Sequence, residues 1–86
     1  MNIVIIGSGG REHALCYKLL KSSKINKIYC IPGNAGTDEI ATNIFADIND
    51  FDEIYKIVLK LNVELIVVGP EIPLVNGIVD YFEKKK

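Results

Sequence analysis

The hydrophobic pattern divides the chain into two kinds of segment. Residues 2–6 (NIVII) form a continuous, largely β-branched run that Gly7 ends. A run without polar alternation reads as a strand covered on both faces, as in a parallel sheet. Residues 27–31 (KIYCI), stopped by Pro32-Gly33, form a second strand, and residues 64–68 (ELIVV), stopped by Gly69-Pro70, form another. Residues 43–48 have room for a short strand between them. The intervening apolar positions recur at helical spacing. After Gly7-Ser8-Gly9-Gly10, a helix is marked by Ala14, Leu15, Leu19 and Leu20. Glu12 in its first turn and Lys18 and Lys21 near its end suit the helix dipole. Asp50 with Glu53 fits a capping box, and Phe51, Ile54, Ile57, Val58 and Leu61 then line one face of a second helix. A last helix starts near Pro73 and buries Leu74, Val75, Ile78, Val79 and Phe82. Gly77 inside it costs up to about 1 kcal/mol relative to alanine. Pro32-Gly33-Asn34-Ala35-Gly36-Thr37 reads as a loop on its turn chemistry.

This β-α-β-loop-β-α-β-α order predicts an α/β fold, a mostly parallel sheet of about four strands with helices on both faces. Right-handed crossovers place the first strand centrally, the second and third to one side and the fourth to the other, which is the order 3-2-1-4.

Composition narrows the function classes. The chain has 86 residues, 49% of them hydrophobic, with 10 Lys and Arg against 11 Asp and Glu. That allows one small domain and argues against disorder. A net charge of −1 argues against a nucleic-acid partner, which would call for a basic face. No apolar run approaches the ~18 residues of a membrane span, and no basic segment precedes an apolar one as in a signal peptide. Cys16 and Cys30 are too few for a disulfide framework and read as small core residues with free thiols in a cytoplasmic protein. With one histidine and two separated cysteines, no metal-ligand cluster is visible. The chain holds no nucleophile–base pair, paired carboxylates or Walker-type phosphate loop, and it is short for an enzyme with its own cleft.

Ligands of open α/β sheets bind beyond the carboxyl ends of the strands, beside the first strand. Three loops meet at that edge: residues 7–13, 32–37 and 69–73. In the first, a strand, glycines and a helix start form a setting for an anion, with Gly9 and Gly10 supplying backbone N–H groups and Arg11 a charged fork. A dinucleotide fits poorly. The third small residue of G-x-G-x-x-G is here Glu12, and the second strand ends in Cys30-Ile31-Pro32 where an acid would bind ribose. A phosphate monoester fits better, the alternative being that the glycines only make the turn and Arg11 points to water. Glu12 either complements the helix dipole or contacts structure or substrate at the rim. His13, one turn into the helix, reads as a surface or capping group. Asn34 gives either a bidentate amide contact or a bond to its own turn. The glycines around it, Gly36 among them, imply close backbone approach. Glu71 either accepts two sugar hydroxyls or serves as an acid at a helix start. The residues alone thus support a phosphorylated-sugar site without a complete catalyst.

Residues 5–15 (IIGSGGREHAL), 32–37 (PGNAGT) and 68–77 (VGPEIPLVNG) closely resemble, in order and spacing, the N-terminal segment of the phosphoribosylamine–glycine ligase (glycinamide ribonucleotide synthetase) family. The resemblance covers essentially the whole chain. It implies a Rossmann-like, three-layer N domain of the kind that precedes ATP-grasp domains. The family uses ATP and a divalent metal, Mg or Mn, to join glycine to 5-phosphoribosylamine in purine biosynthesis, with glycyl phosphate as the expected intermediate. ATP and metal would bind outside this segment, on ATP-grasp domains that follow it, which would be this chain's partners within one protein. Residues 1–86 are then expected to be a truncated N domain, inactive alone, forming one wall of the phosphoribosylamine site. Gly9, Gly10, Arg11 and Glu12 would sit at its phosphate end or orient the adjoining domain. Asn34 and Gly36 would shape the pocket, and Glu71 would bind ribose hydroxyls. The alternative is a stand-alone phosphosugar- or nucleotide-binding module.

Overall fold

The computed structural model describes residues 1–69 and Gly77. The chain runs β1 (Asn2–Gly7), α1 (Gly10–Leu19), β2 (Lys27–Pro32), α2 (Ala35–Ile40), β3 (Thr42–Asn43), α3 (Phe51–Lys60) and β4 (Leu65–Val68). The strands form one sheet in the order β3-β2-β1-β4, and every pairing is parallel. Strand order and direction follow the expectation from the sequence.

β1 occupies the centre because nothing in it needs water. Ile3, Val4, Ile5 and Ile6 are each at most 1% exposed. Alternate side chains feed two cores. On one face Val4, Ile6 and Ile31 pack with Ala46 and with Ile54 of α3, flanked by Phe51, Ile57 and Val58. On the other Ile3, Ile5, Ile28 and Cys30 pack with Cys16 of α1, flanked by Leu15 and Leu19. Helices therefore cover both faces of the sheet.

Four details depart from the pattern reading. The inward face of α1 is Glu12, Leu15, Cys16 and Leu19, while Ala14 and Leu20 are exposed. At 100° per residue, positions 12, 15, 16 and 19 share a stripe that 14 and 20 miss. Ala35, Gly36 and Thr37, read as part of a loop, open α2, which runs to Ile40. The expected strand over 43–48 pairs only through Thr42 and Asn43, opposite Tyr29 and Cys30. Beyond it Ile44, Ala46 and Ile48 turn into the core while Phe45 is 95% exposed. The remaining five residues, 44–48, add one backbone bond to the sheet, from Ile44 N–H to Cys30 O at 2.8 Å, and no further strand pairing. Gly77 lies in a turn at φ +88°, so it is not a helical residue. Leu74, Val75, Ile78, Val79 and Phe82 of the expected last helix lie outside the described residues.

α3 starts at Phe51, where the sequence places it, with one half of the expected capping box, while the Asp50 N–H donates to Asp47 O. Asp50 caps it by accepting the Glu53 N–H at 3.2 Å. β4 begins one residue later than expected, at Leu65.

Candidate functional site

The carboxyl ends of β1, β2 and β4 are tied at one level. Gly33 N–H donates to Gly7 O at 3.0 Å, and Gly69 N–H donates to Ile6 O at 2.9 Å. The three loops that leave these strands therefore start side by side, at the edge where open α/β sheets bind ligands.

Glu12 is the least expected residue of the first loop. It is 5% exposed, although carboxylates are seldom buried without partners. Its Oε2 accepts the Gly9 N–H at 3.1 Å, which makes it the side chain that caps α1 from within. Gly9 at the helix start offers no side chain of its own. The carboxyl group lies against the ends of both β1 and β4. A methyl group on Gly7, where φ is +142°, would stand 2.5 Å from Glu12 Oε1, and one on Gly69 would collide with the same oxygen. Two glycines at two strand ends thus make the space that the carboxylate fills.

Arg11 is exposed, and its Nη2 donates to Gly69 O at 2.8 Å. Arg11 and Glu12 consequently bracket the end of β4 from outside and from beneath. Together with Ile5, Leu15, Val67, Val68 and Gly69 they line a cleft of about 250 Å³ between α1 and β4. Arg11 thus bonds the end of β4 while remaining exposed beside Ser8, Gly9 and Gly10, which are exposed as well.

The second loop is built to hold the first. Asn34 caps α2, accepting the Thr37 N–H at 3.0 Å through Oδ1. Its Nδ2 reaches across to Ser8 O at 2.8 Å and Gly9 O at 3.2 Å. Thr37, fully buried, accepts the Asn34 N–H at 2.8 Å and donates its hydroxyl proton to Asn43 Oδ1 at 2.7 Å. Asn43 Nδ2 returns to Asn34 O at 2.8 Å. Gly36 leaves room for the half-buried His13 ring, since a methyl group there would stand 2.6 Å from His13 Cε1. Asn34 therefore bonds its own turn and, by the same amide, the glycine loop.

The structure brings Gly9, Gly10, Arg11, Glu12, Asn34 and Gly36 together, while Glu71 lies outside the described residues. Thr37, buried, and Asn43, half-buried, are polar members of this edge that pattern reading missed. The spacing Asn34-x-x-Thr37, that of a capping box, was the signal available. Cys16 and Cys30 stand next to each other in the core behind α1, both free. Burial pushes the Cys30 thiol up to about 12, helped by Cys16, and raises Cys16 as well. Neutral, enclosed thiols of this kind are inert. Among the described residues, no group of three or more His, Cys, Asp and Glu could hold a metal, and no helix is long and apolar enough to cross a membrane.

Comparison with known proteins bears on the family and the fold. The family described as "Phosphoribosylglycinamide synthetase, N domain" matches residues 1–86. Among curated proteins, a phosphoribosylamine–glycine ligase from Caldanaerobacter subterraneus subsp. tengcongensis is 42% identical over 84 residues, covering 98% of this chain and 20% of the relative. One from Nostoc sp. is 45% identical over 87 residues, covering 99% and 20%. The crystal structure of phosphoribosylamine–glycine ligase from Thermotoga maritima superposes with a TM-score of 0.65 at 31% identity, over 83% of this chain and 16% of that one. The chain thus spans about a fifth of the length of the curated relatives it matches.

Proposed function

The chain belongs to the family of phosphoribosylglycinamide synthetase N domains, and from that membership we propose that it forms one wall of the phosphoribosylamine site in a cytoplasmic, ATP-dependent ligase of purine biosynthesis. The reaction joins glycine to 5-phosphoribosylamine. ATP and Mg or Mn bind outside this segment, on ATP-grasp domains of the same protein. Residues 1–86 act as the N domain of that protein and are inactive alone. The observation that carries the reading is the tie between two loops: the Asn34 amide holds the Ser8 and Gly9 carbonyls at the carboxyl edge of the sheet, within a chain that matches the family from end to end.

Gly10 and Arg11 are open to solvent and meet the 5′-phosphate, Arg11 through the donors it does not give to Gly69. Gly9 and Glu12 make the floor of the same end. Asn34 and Gly36 fix the pocket's shape, and Glu71 takes ribose hydroxyls. The contribution to catalysis is positioning: an amine held in place reacts with an activated glycine as if both were in one molecule.

Calorimetry with ribose 5-phosphate on the ligase that carries this chain tests the assignment. Loss of a charged hydrogen bond costs about 1.5–3 kcal/mol, so Arg11→Ala and Glu71→Ala should each weaken binding by about tenfold or more. If neither change weakens it, this wall is not where the phosphosugar binds.

A further inference from the structure

The crevice between β1 and β4 is where the strand order reverses, the place at which Rossmann-type sheets hold the pyrophosphate of a dinucleotide. Three features make such a site: a backbone N–H in the first loop, an open space at the helix start, and small residues around it. All three are present here and all three are used. The N–H is that of Gly9, bonded to Glu12 Oε2 at 3.1 Å. The small residues are Gly7 and Gly69, and the space between them is filled by the Glu12 carboxyl group. The group is 5% exposed and belongs to the third position of Gly7-x-Gly9-x-x-Glu12, where a dinucleotide site has its last glycine.

We propose that Glu12 is a built-in anion, a specificity-determining residue that occupies the pyrophosphate position of the fold and so excludes dinucleotides and nucleoside polyphosphates from this crevice. Two effects act together. The carboxyl group takes the volume, and its oxygen takes the Gly9 donor that a phosphate oxygen would otherwise accept from. Anions are thereby confined to the outer rim, where Gly10 and Arg11 are exposed. Glu12 touches no ligand in this role. It decides which ligands reach the glycine loop. The inference stands apart from the phosphoribosylamine reading, because its probe is inorganic pyrophosphate and not a sugar phosphate.

The test follows the Gly9 amide by proton–nitrogen NMR in the full protein during titration with inorganic pyrophosphate. The wild-type Gly9 signal should stay in place at millimolar pyrophosphate. In Glu12→Ala it should move, with binding at least tenfold tighter than in the wild type. A Gly9 signal that responds equally in both, or a folded Glu12→Ala variant that binds no more tightly, overturns the proposal. Should Glu12→Ala fail to fold, Glu12→Gln decides. It keeps the volume but weakens the acceptor, so hydrogen exchange at the Gly9 amide should speed up severalfold while that of Ile5 and Ile6 is unchanged. Unaltered exchange at Gly9 refutes the claim that the carboxylate holds that donor.

Discussion

Asn34 joins two loops through one amide group, and the two ends of that group can be separated by mutation. Oδ1 caps α2 through the Thr37 N–H at 3.0 Å, and Nδ2 ties down Ser8 O at 2.8 Å and Gly9 O at 3.2 Å. Replacing an N-cap asparagine with alanine costs about 1 kcal/mol. The Nδ2 contacts count as one good hydrogen bond and one long one, together about 1 kcal/mol net. Asn34→Ala should therefore destabilise the protein by about 2 kcal/mol. Asn34→Ser keeps a good capping oxygen but cannot reach the glycine loop, and should cost about 1 kcal/mol. In urea, with a slope of about 1 kcal/mol per molar for a domain of this size, the midpoint should fall by about 2 M for alanine and about 1 M for serine. Equal losses would mean that the tie to Ser8 and Gly9 carries no energy. Losses below about 0.5 kcal/mol for both would refute the capping role as well.

Gly69→Ala should cost about 1–3 kcal/mol through collision with the Glu12 carboxyl group. The cost should shrink in a Glu12→Ala background, so a double-mutant cycle by urea unfolding should give a clear coupling energy. The thiols set a pH dependence. Cys30 is held at about 12 in the fold against 9.0 ordinarily, so the folded state keeps a proton that the unfolded chain loses. Stability should be unaffected below pH 9 and fall by up to about 1.4 kcal/mol per pH unit between about 9 and 12. Unfolding titrations over that range should show a shallower fall in Cys30→Ala. Ile54, fully buried beneath the sheet, should lose about 2–5 kcal/mol on change to alanine. Phe45→Ala, at a position 95% exposed, should change stability by no more than about 0.5 kcal/mol. Thermal melts of the two variants make the comparison.

Much of the fold is written locally. The run around Ile3–Ile6 needs burial on both faces, and a chain that alternates such runs with helical stripes has few ways to cover them. Asp50 announces α3, and Gly7 and Pro32-Gly33 announce the strand ends. α2 escaped the pattern reading because a six-residue helix has too few apolar positions to show a period, and its start is signalled only by the side-chain pairing of Asn34 with Thr37. The face of α1 was shifted because Leu20 and Ala14 are apolar, whereas Glu12, which is buried, is charged. Hydrophobicity cannot anticipate a carboxylate whose place is made by glycines.

The sequence by itself thus determined the sheet order, the burial of the sheet on two faces and the meeting of the first two loops at the carboxyl edge, because each depends on spacing along the chain and on the handedness of crossovers. What those residues do there was decided by tertiary structure. Asn34 had two open readings until β1 and β2 were paired, which put its amide beside Ser8 and Gly9. Glu12 reads as an ordinary acid of a first helical turn until β4 arrives at β1 and Gly69 closes over its carboxyl group. Gly69 lies 57 positions further along the chain, and no local pattern carries a contact over that separation.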